Sequence, residues 1–143
     1  MNPDPYHLNR FLDAQATNYQ TALTELKNGH KQSHWMWYIF PQLDGLGHSA
    51  TAKYYALKNL AEATAYLQHP VLGQRLIDCC HALLTVQNKT ISSILVFPDD
   101  SKLHSSATLF AQLPHTNPVF QQILDQYYAG KPDAKTLQLL NLL

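Results

Sequence analysis

Cysteine is nearly absent from this chain. Its two cysteines, Cys79 and Cys80, are neighbours, and adjacent residues do not present the geometry of a structural disulfide. Charge is scarce as well: charged residues make up 14 %, and ten basic side chains balance ten acidic ones. A phosphate-backbone binder needs a basic excess to release counterions, so no nucleic-acid partner is expected. No membrane partner is expected either. The longest apolar run, Trp35 to Phe40, stops far short of the roughly 20 residues that cross a bilayer. The start, MNPDPYHLNRF, lacks the basic stretch and apolar core of a secretion signal, which leaves the cytoplasm as the expected location. No glycine-rich phosphate loop, dinucleotide fingerprint, GxSxG elbow, HExxH or CxxC occurs. Neither a metal nor a cofactor is therefore expected.

What the chain does have is apolar surface. Hydrophobic residues make up 45 % of its 143 positions, enough for a core and too many for a disordered segment. Helical spacing dominates. LNRFLDAQATNYQTALTELKNG repeats apolar residues every three or four positions and stops at Gly29. Ser49 is an expected N-cap, and Asn59 with Glu62 three residues later resembles a capping box. Leu72, Leu76, Cys79, Leu83 and Val86 form one stripe behind Pro70. DDSKLHSSATLFAQL starts at Asp99 or Asp100, NPVFQQILDQYY runs from Asn117 and Pro118 to a stop at Gly130, and PDAKTLQLL closes the chain. Only HWMWYIF and TISSILVFP read as extended core or strand. The expected fold is mainly α: a single compact domain over residues 1–143, of about six helices with one or two short extended or strand segments.

Two stretches carry candidate chemistry. HWMWYIFPQLDGLGHS, residues 34–49, holds both tryptophans. As a strand it would be apolar on both faces and buried; as the wall of a cavity its rings would stack on a flat ligand. In the turn that follows, Gln42, Gly45, Gly47 and Ser49 lead into a helix start, where backbone N–H groups favour an anion. FPDDSKLHSSATLF puts Lys102, Ser105 and Ser106 at one helical spacing, a cation beside two hydroxyls that suits an oxyanion or phosphate. His104 stands four residues from Asp100, where the two could pair. A solvated face with a capping aspartate is the plainer alternative.

Together with AEATAYLQHPVLGQRL, these stretches resemble the bacterial family catalogued as domain of unknown function 1810. The resemblance runs from about Phe11 to Phe110, continues weakly into the last helix to about residue 130, and implies a small, mainly helical protein. Some members carry the label calpastatin, and nothing in these residues supports protease inhibition. A looser similarity, through Trp37 and the Tyr54–Tyr55 pair, points to domains proposed to act on ADP-ribose derivatives.

Two function classes follow. In the first, the chain binds or processes a small anionic molecule with a flat ring, such as a nucleotide or a nucleotide sugar. Trp35, Trp37, Tyr38 and Tyr54 are then the aromatic contacts. Gln42, Gly45, Gly47, Ser49, Lys102, Ser105 and Ser106 are the polar ones, and His34, Asp99 and His104 the acid/base candidates. This requires the aromatic run and the Lys102 helix to meet at one cavity. In the second, an exposed aromatic patch binds a protein or builds a homodimer, without catalysis.

Overall fold

The computed structural model describes residues 3–142. Among them run nine helices: α1 (Asn9–Lys27), α2 (Met36–Ile39), α3 (Ala50–Tyr55), α4 (Leu60–Gln68), α5 (Leu72–Thr85), α6 (Ile91–Ile94), α7 (Asp99–Ala111), α8 (Val119–Tyr127) and α9 (Ala134–Leu139). Side-chain caps start four of them, α3, α4, α6 and α9. The Ser49 hydroxyl accepts the Ala52 N–H at 3.1 Å, and the Asn59 side chain accepts the Glu62 N–H at 2.9 Å. Glu62 reaches back to the N–H of Lys58 at 2.8 Å, one residue before the cap. Capping of this kind supplies acceptors for the first N–H groups of a helix, which have none of their own. Gly29 and Gly130 both take positive φ, +71° and +76°, the left-handed turn that ends a helix.

α1 lies against α5, α5 against α8, and α7 against α8, with α4 packed on both α5 and α7. Phe11, Ala22 and Leu26 of α1 are buried in the same core as the α5 stripe of Leu72, Leu76, Cys79 and Leu83. Phe110 of α7 stacks on Phe120 of α8 with centroids 5.4 Å apart. These helices thus pack around a single apolar core.

The two stretches expected as extended segments are not strands. HWMWYIF contains the one-turn helix α2, and TISSILVFP contains α6. Thr90 starts α6 by accepting the Ser93 N–H, and neither segment pairs into a ladder with any described residue. The sole β feature among the described residues is an isolated parallel bridge between Leu43 and Leu57. These one-turn helices account for two of the additional elements beyond the six or so expected. No described helix is long and apolar enough to cross a membrane.

Cys79 and Cys80 are both buried in α5. Burial pushes the Cys79 thiol up to about 12 and raises Cys80 well above the usual thiol range. Thiolate is the reactive form. Ellman's reagent at pH 8 is therefore expected to find no rapidly reacting thiol in the folded protein and both thiols in denaturant. Fast modification of the native state would mean that α5 opens readily.

Candidate functional site

Glu25, near the end of α1, organises the segment that follows. Its Oε1 accepts the Gln32 N–H at 2.8 Å, the Ser33 N–H at 3.0 Å and the Trp35 indole N–H at 2.9 Å. Its Oε2 accepts the Ser33 hydroxyl at 2.6 Å. Burial alone would raise this carboxyl. Hydrogen bonds from the Ser33 side chain, the Gln32 backbone, the Trp35 indole and the Ser33 backbone outweigh burial and hold it at about 2. The ionised carboxylate ties residues 32–35 to the end of α1, and the Lys31 N–H, bonded to the Ile94 carbonyl at 3.0 Å, ties the same loop to α6.

From this anchor the chain turns into α2, and a helical turn sorts its side chains differently from a strand. Trp35, Met36, Tyr38, Ile39 and Phe40 are buried. His34 and Trp37, three residues apart, are left on the outer side, exposed and half-buried respectively.

The opposite wall comes from the chain between α6 and α7. Val96 and Phe97 are 64 % and 76 % exposed, a cis peptide joins Phe97 to Pro98, and Asp99 opens α7. The two walls enclose a hollow of about 350 Å³ lined by Lys31, His34, Trp37, Phe97, Asp99 and Lys102, among others. Lys31 is 2.9 Å from Asp99 Oδ2, donates to the Ser33 carbonyl, and lies 5.0 Å from the Trp35 ring. Lys102 is 3.7 Å from Asp99 Oδ1, and its ammonium sits 5.0 Å over the Trp37 ring. Two ammonium groups against one carboxylate leave a net positive charge on an aromatic surface, an arrangement that attracts an anion with a planar group.

Of the residues singled out from sequence, Trp37, His34, Asp99 and Lys102 meet here. The others do not line this hollow. Trp35 is buried against Glu25. Tyr38 points inward against Tyr55, with ring centroids 5.3 Å apart, and burial, with Tyr55 adding to it, raises its hydroxyl. The backbone carbonyl of Gln42 accepts the Leu57 N–H in the β bridge. Gly45, Gly47 and Ser49 form a turn whose contribution is the α3 cap. Tyr54, 52 % exposed, lines a different hollow with Arg10 and Lys53.

His104 stacks on Tyr128 at 4.1 Å with its Nε2 2.7 Å from the Lys131 carbonyl, so it is not paired with Asp100. Ser105 donates to the Ser101 carbonyl at 3.2 Å and to Asp133 at 3.1 Å, and the Ser106 hydroxyl is buried without a hydrogen-bond partner among the described residues. The face that starts at Lys102 sinks into the interior one turn later, because α7 is packed by α4, α8 and α9. Lys31 and Phe97 were not foreseen as site residues. The only hint was Phe97 opening the stretch FPDDSK.

The family described as "Protein of unknown function (DUF1810)" matches residues 5–140. The chain belongs to that family. The resemblance seen in the three sequence stretches is thus confirmed, and over a longer span. A solved crystal structure of a conserved hypothetical protein from Mycobacterium tuberculosis superposes on this DUF1810 protein with a TM-score of 0.95. The two chains are 46 % identical, and the match covers 98 % of this chain and 100 % of that one. No curated protein matches the chain. The DUF1810 fold here is therefore shared in detail with its mycobacterial relative.

Proposed function

We propose that the hollow between the α1–α2 loop and the start of α7 binds a small molecule carrying a flat ring and an anionic group, in the class of nucleotides and nucleotide sugars, ADP-ribose derivatives included. The observation that carries this reading is the Lys102 ammonium 5.0 Å over the Trp37 ring, within one hollow that Phe97 also lines. Trp37 and Phe97 supply aromatic surface, and Lys102 supplies the charge for the anion. His34 and Asp99 are the groups positioned to move a proton if the ligand is processed there.

A thermal-shift screen against nucleotides, nucleotide sugars and common metabolites tests this reading. At least one compound is expected to raise the melting temperature, and the shift is expected to vanish in Lys102→Ala. A binder at 100 times its Kd stabilises by about 2.7 kcal/mol, or several degrees for a protein of this size. A shift that persists unchanged in the variant would place the ligand elsewhere.

The exposure of Val96 and Phe97 favours a second reading, a protein partner or a second copy docked on this apolar rim. It replaces the first if no compound shifts the protein and sedimentation shows concentration-dependent association that Phe97→Ser abolishes.

A further inference from the structure

We infer that Asp99 and Lys102 together recognise a sugar hydroxyl, so that the ligand of the hollow is a ribonucleoside or a sugar-bearing relative rather than a bare aromatic anion. The inference rests on the small-molecule reading above and specifies its chemistry.

Asp99 is fixed. Its Oδ2 is held at 2.9 Å by Lys31, a lysine whose side chain is only 10 % exposed and whose ammonium also serves the Ser33 carbonyl. Its backbone N–H is bonded to the Val96 carbonyl at 2.9 Å. Lys31 thus already has its counter-charge, and an incoming anion would gain little there while standing against the Asp99 carboxylate.

The other oxygen, Oδ1, accepts no hydrogen bond from any described residue. It lies 3.7 Å from Lys102 Nζ, beyond the roughly 3.2 Å limit of a good N–H···O bond. Lys102 donates to no described residue either; its remaining neighbour is the face of Trp37. The hollow therefore presents an open acceptor and an open donor side by side, next to an aromatic surface.

A phosphate oxygen does not satisfy that pair. It would accept from Lys102 but stand against the Oδ1 charge at close range, with nothing to donate. A hydroxyl satisfies both, since a single oxygen donates to Oδ1 and accepts from Nζ. The vicinal diol of a ribose offers two such oxygens. The ammonium has three protons, so two remain for the ligand's anionic group. Trp37 is placed to cover the sugar or the base.

The test is a calorimetric titration of AMP, GMP, CMP and UMP, each against its 2′,3′-dideoxy counterpart, on the wild type, Trp37→Ala and Asp99→Ala. At least one ribonucleotide is expected to bind about tenfold or more tightly than its dideoxy form, the usual size of a hydrogen bond to a charged group. That gap is expected to close in Asp99→Ala, while Trp37→Ala weakens both members of the pair. Equal binding of ribo and dideoxy forms to the wild type, with loss in Trp37→Ala, would overturn the hydroxyl assignment and leave the ring-and-anion reading standing. A gap that survives in folded Asp99→Ala would overturn the role of Asp99. Binding of neither form of any pair would overturn the ribonucleotide assignment, and the thermal-shift screen then decides the ring-and-anion reading. The wild-type comparison alone decides if Asp99→Ala does not fold, because the deletion is then made on the ligand.

Discussion

Glu25→Ala is expected to lose about 3 kcal/mol of stability, and with it roughly 10 °C of melting temperature. The carboxylate serves four donors, three of them in the turn between α1 and α2 and the fourth on the buried Trp35 indole. Removing it leaves the Trp35 N–H in the core with no acceptor, and such a loss costs more than the bond itself contributes. The pH dependence supplies an independent check. The folded carboxyl sits at about 2 against an ordinary 4.5. A depressed acid stabilises the fold fully above its unfolded value and loses that stabilisation as pH falls towards its folded value. The contribution, about 3 kcal/mol at pH 7, should therefore fade between about pH 5 and pH 2. Urea midpoints measured across that range should fall less steeply for Glu25→Gln than for the wild type. Parallel slopes in the two proteins would show that the carboxylate is not what holds the loop. Because the same loop carries Lys31 and leads into Trp37, Glu25→Ala should also weaken any ligand in the hollow, though Glu25 does not line it.

Sequence revealed most where the physics is local. Caps at Ser49 and Asn59, the stops at Gly29 and Gly130, and the α5 stripe each depend on residues within one or two turns, and each was legible. The stripe failed only at Val86, which lies past the end of α5 and is half-buried. In the aromatic run a period of two and one of about 3.6 cannot be told apart, because nearly every residue is apolar. The choice between them decided which tryptophan faces out. Alternation groups Trp35 with Trp37, whereas the helical turn buries Trp35 against Glu25 and leaves Trp37 beside His34.

The meeting of Trp37 with Lys102 joined two stretches some sixty positions apart. Both place polar groups beside apolar ones. The Lys31–Asp99 pair had no such signal, since nothing local tells a loop lysine which distant carboxylate it will find. Ser105, Ser106 and His104 misled for the opposite reason. From Leu103 to Phe110 every residue of α7 except His104 is buried, so its hydroxyls serve the interior. A helix packed on several sides carries no readable wet face.

Gly73→Ala sets two effects of opposite sign against each other, and their sizes decide the outcome. By helix propensity alone, alanine in the first turn of α5 should stabilise by up to about 1 kcal/mol. Sterically it should do the reverse. A Cβ on Gly73 would lie 1.9 Å from the Leu67 carbonyl oxygen and 2.8 Å from its carbon, both backbone atoms near the end of α4. No rotamer change relieves that overlap. The turn between the helices is also stiff, because the His69 Nδ1 accepts the N–H groups of Val71 and Leu72 at 3.1 and 3.2 Å and the Gly73 N–H is bonded to the His69 carbonyl at 3.0 Å. Relief requires α4 and α5 to separate where Tyr66, Leu72 and Leu76 are buried, and overpacking of this kind costs about 1–3 kcal/mol or more. With the overpacking at the upper end of that range and the propensity gain subtracted, the net expectation is a loss of about 2 kcal/mol, a fall of about 5–7 °C in melting temperature. The displacement should also reach α2, since Arg75 of α5 donates to the Gln15 side chain at 3.3 Å and Gln15 donates to the Tyr38 carbonyl at 2.7 Å. A melting temperature that holds or rises would mean that the two helices part at little cost and that propensity, not the Leu67 contact, governs this position.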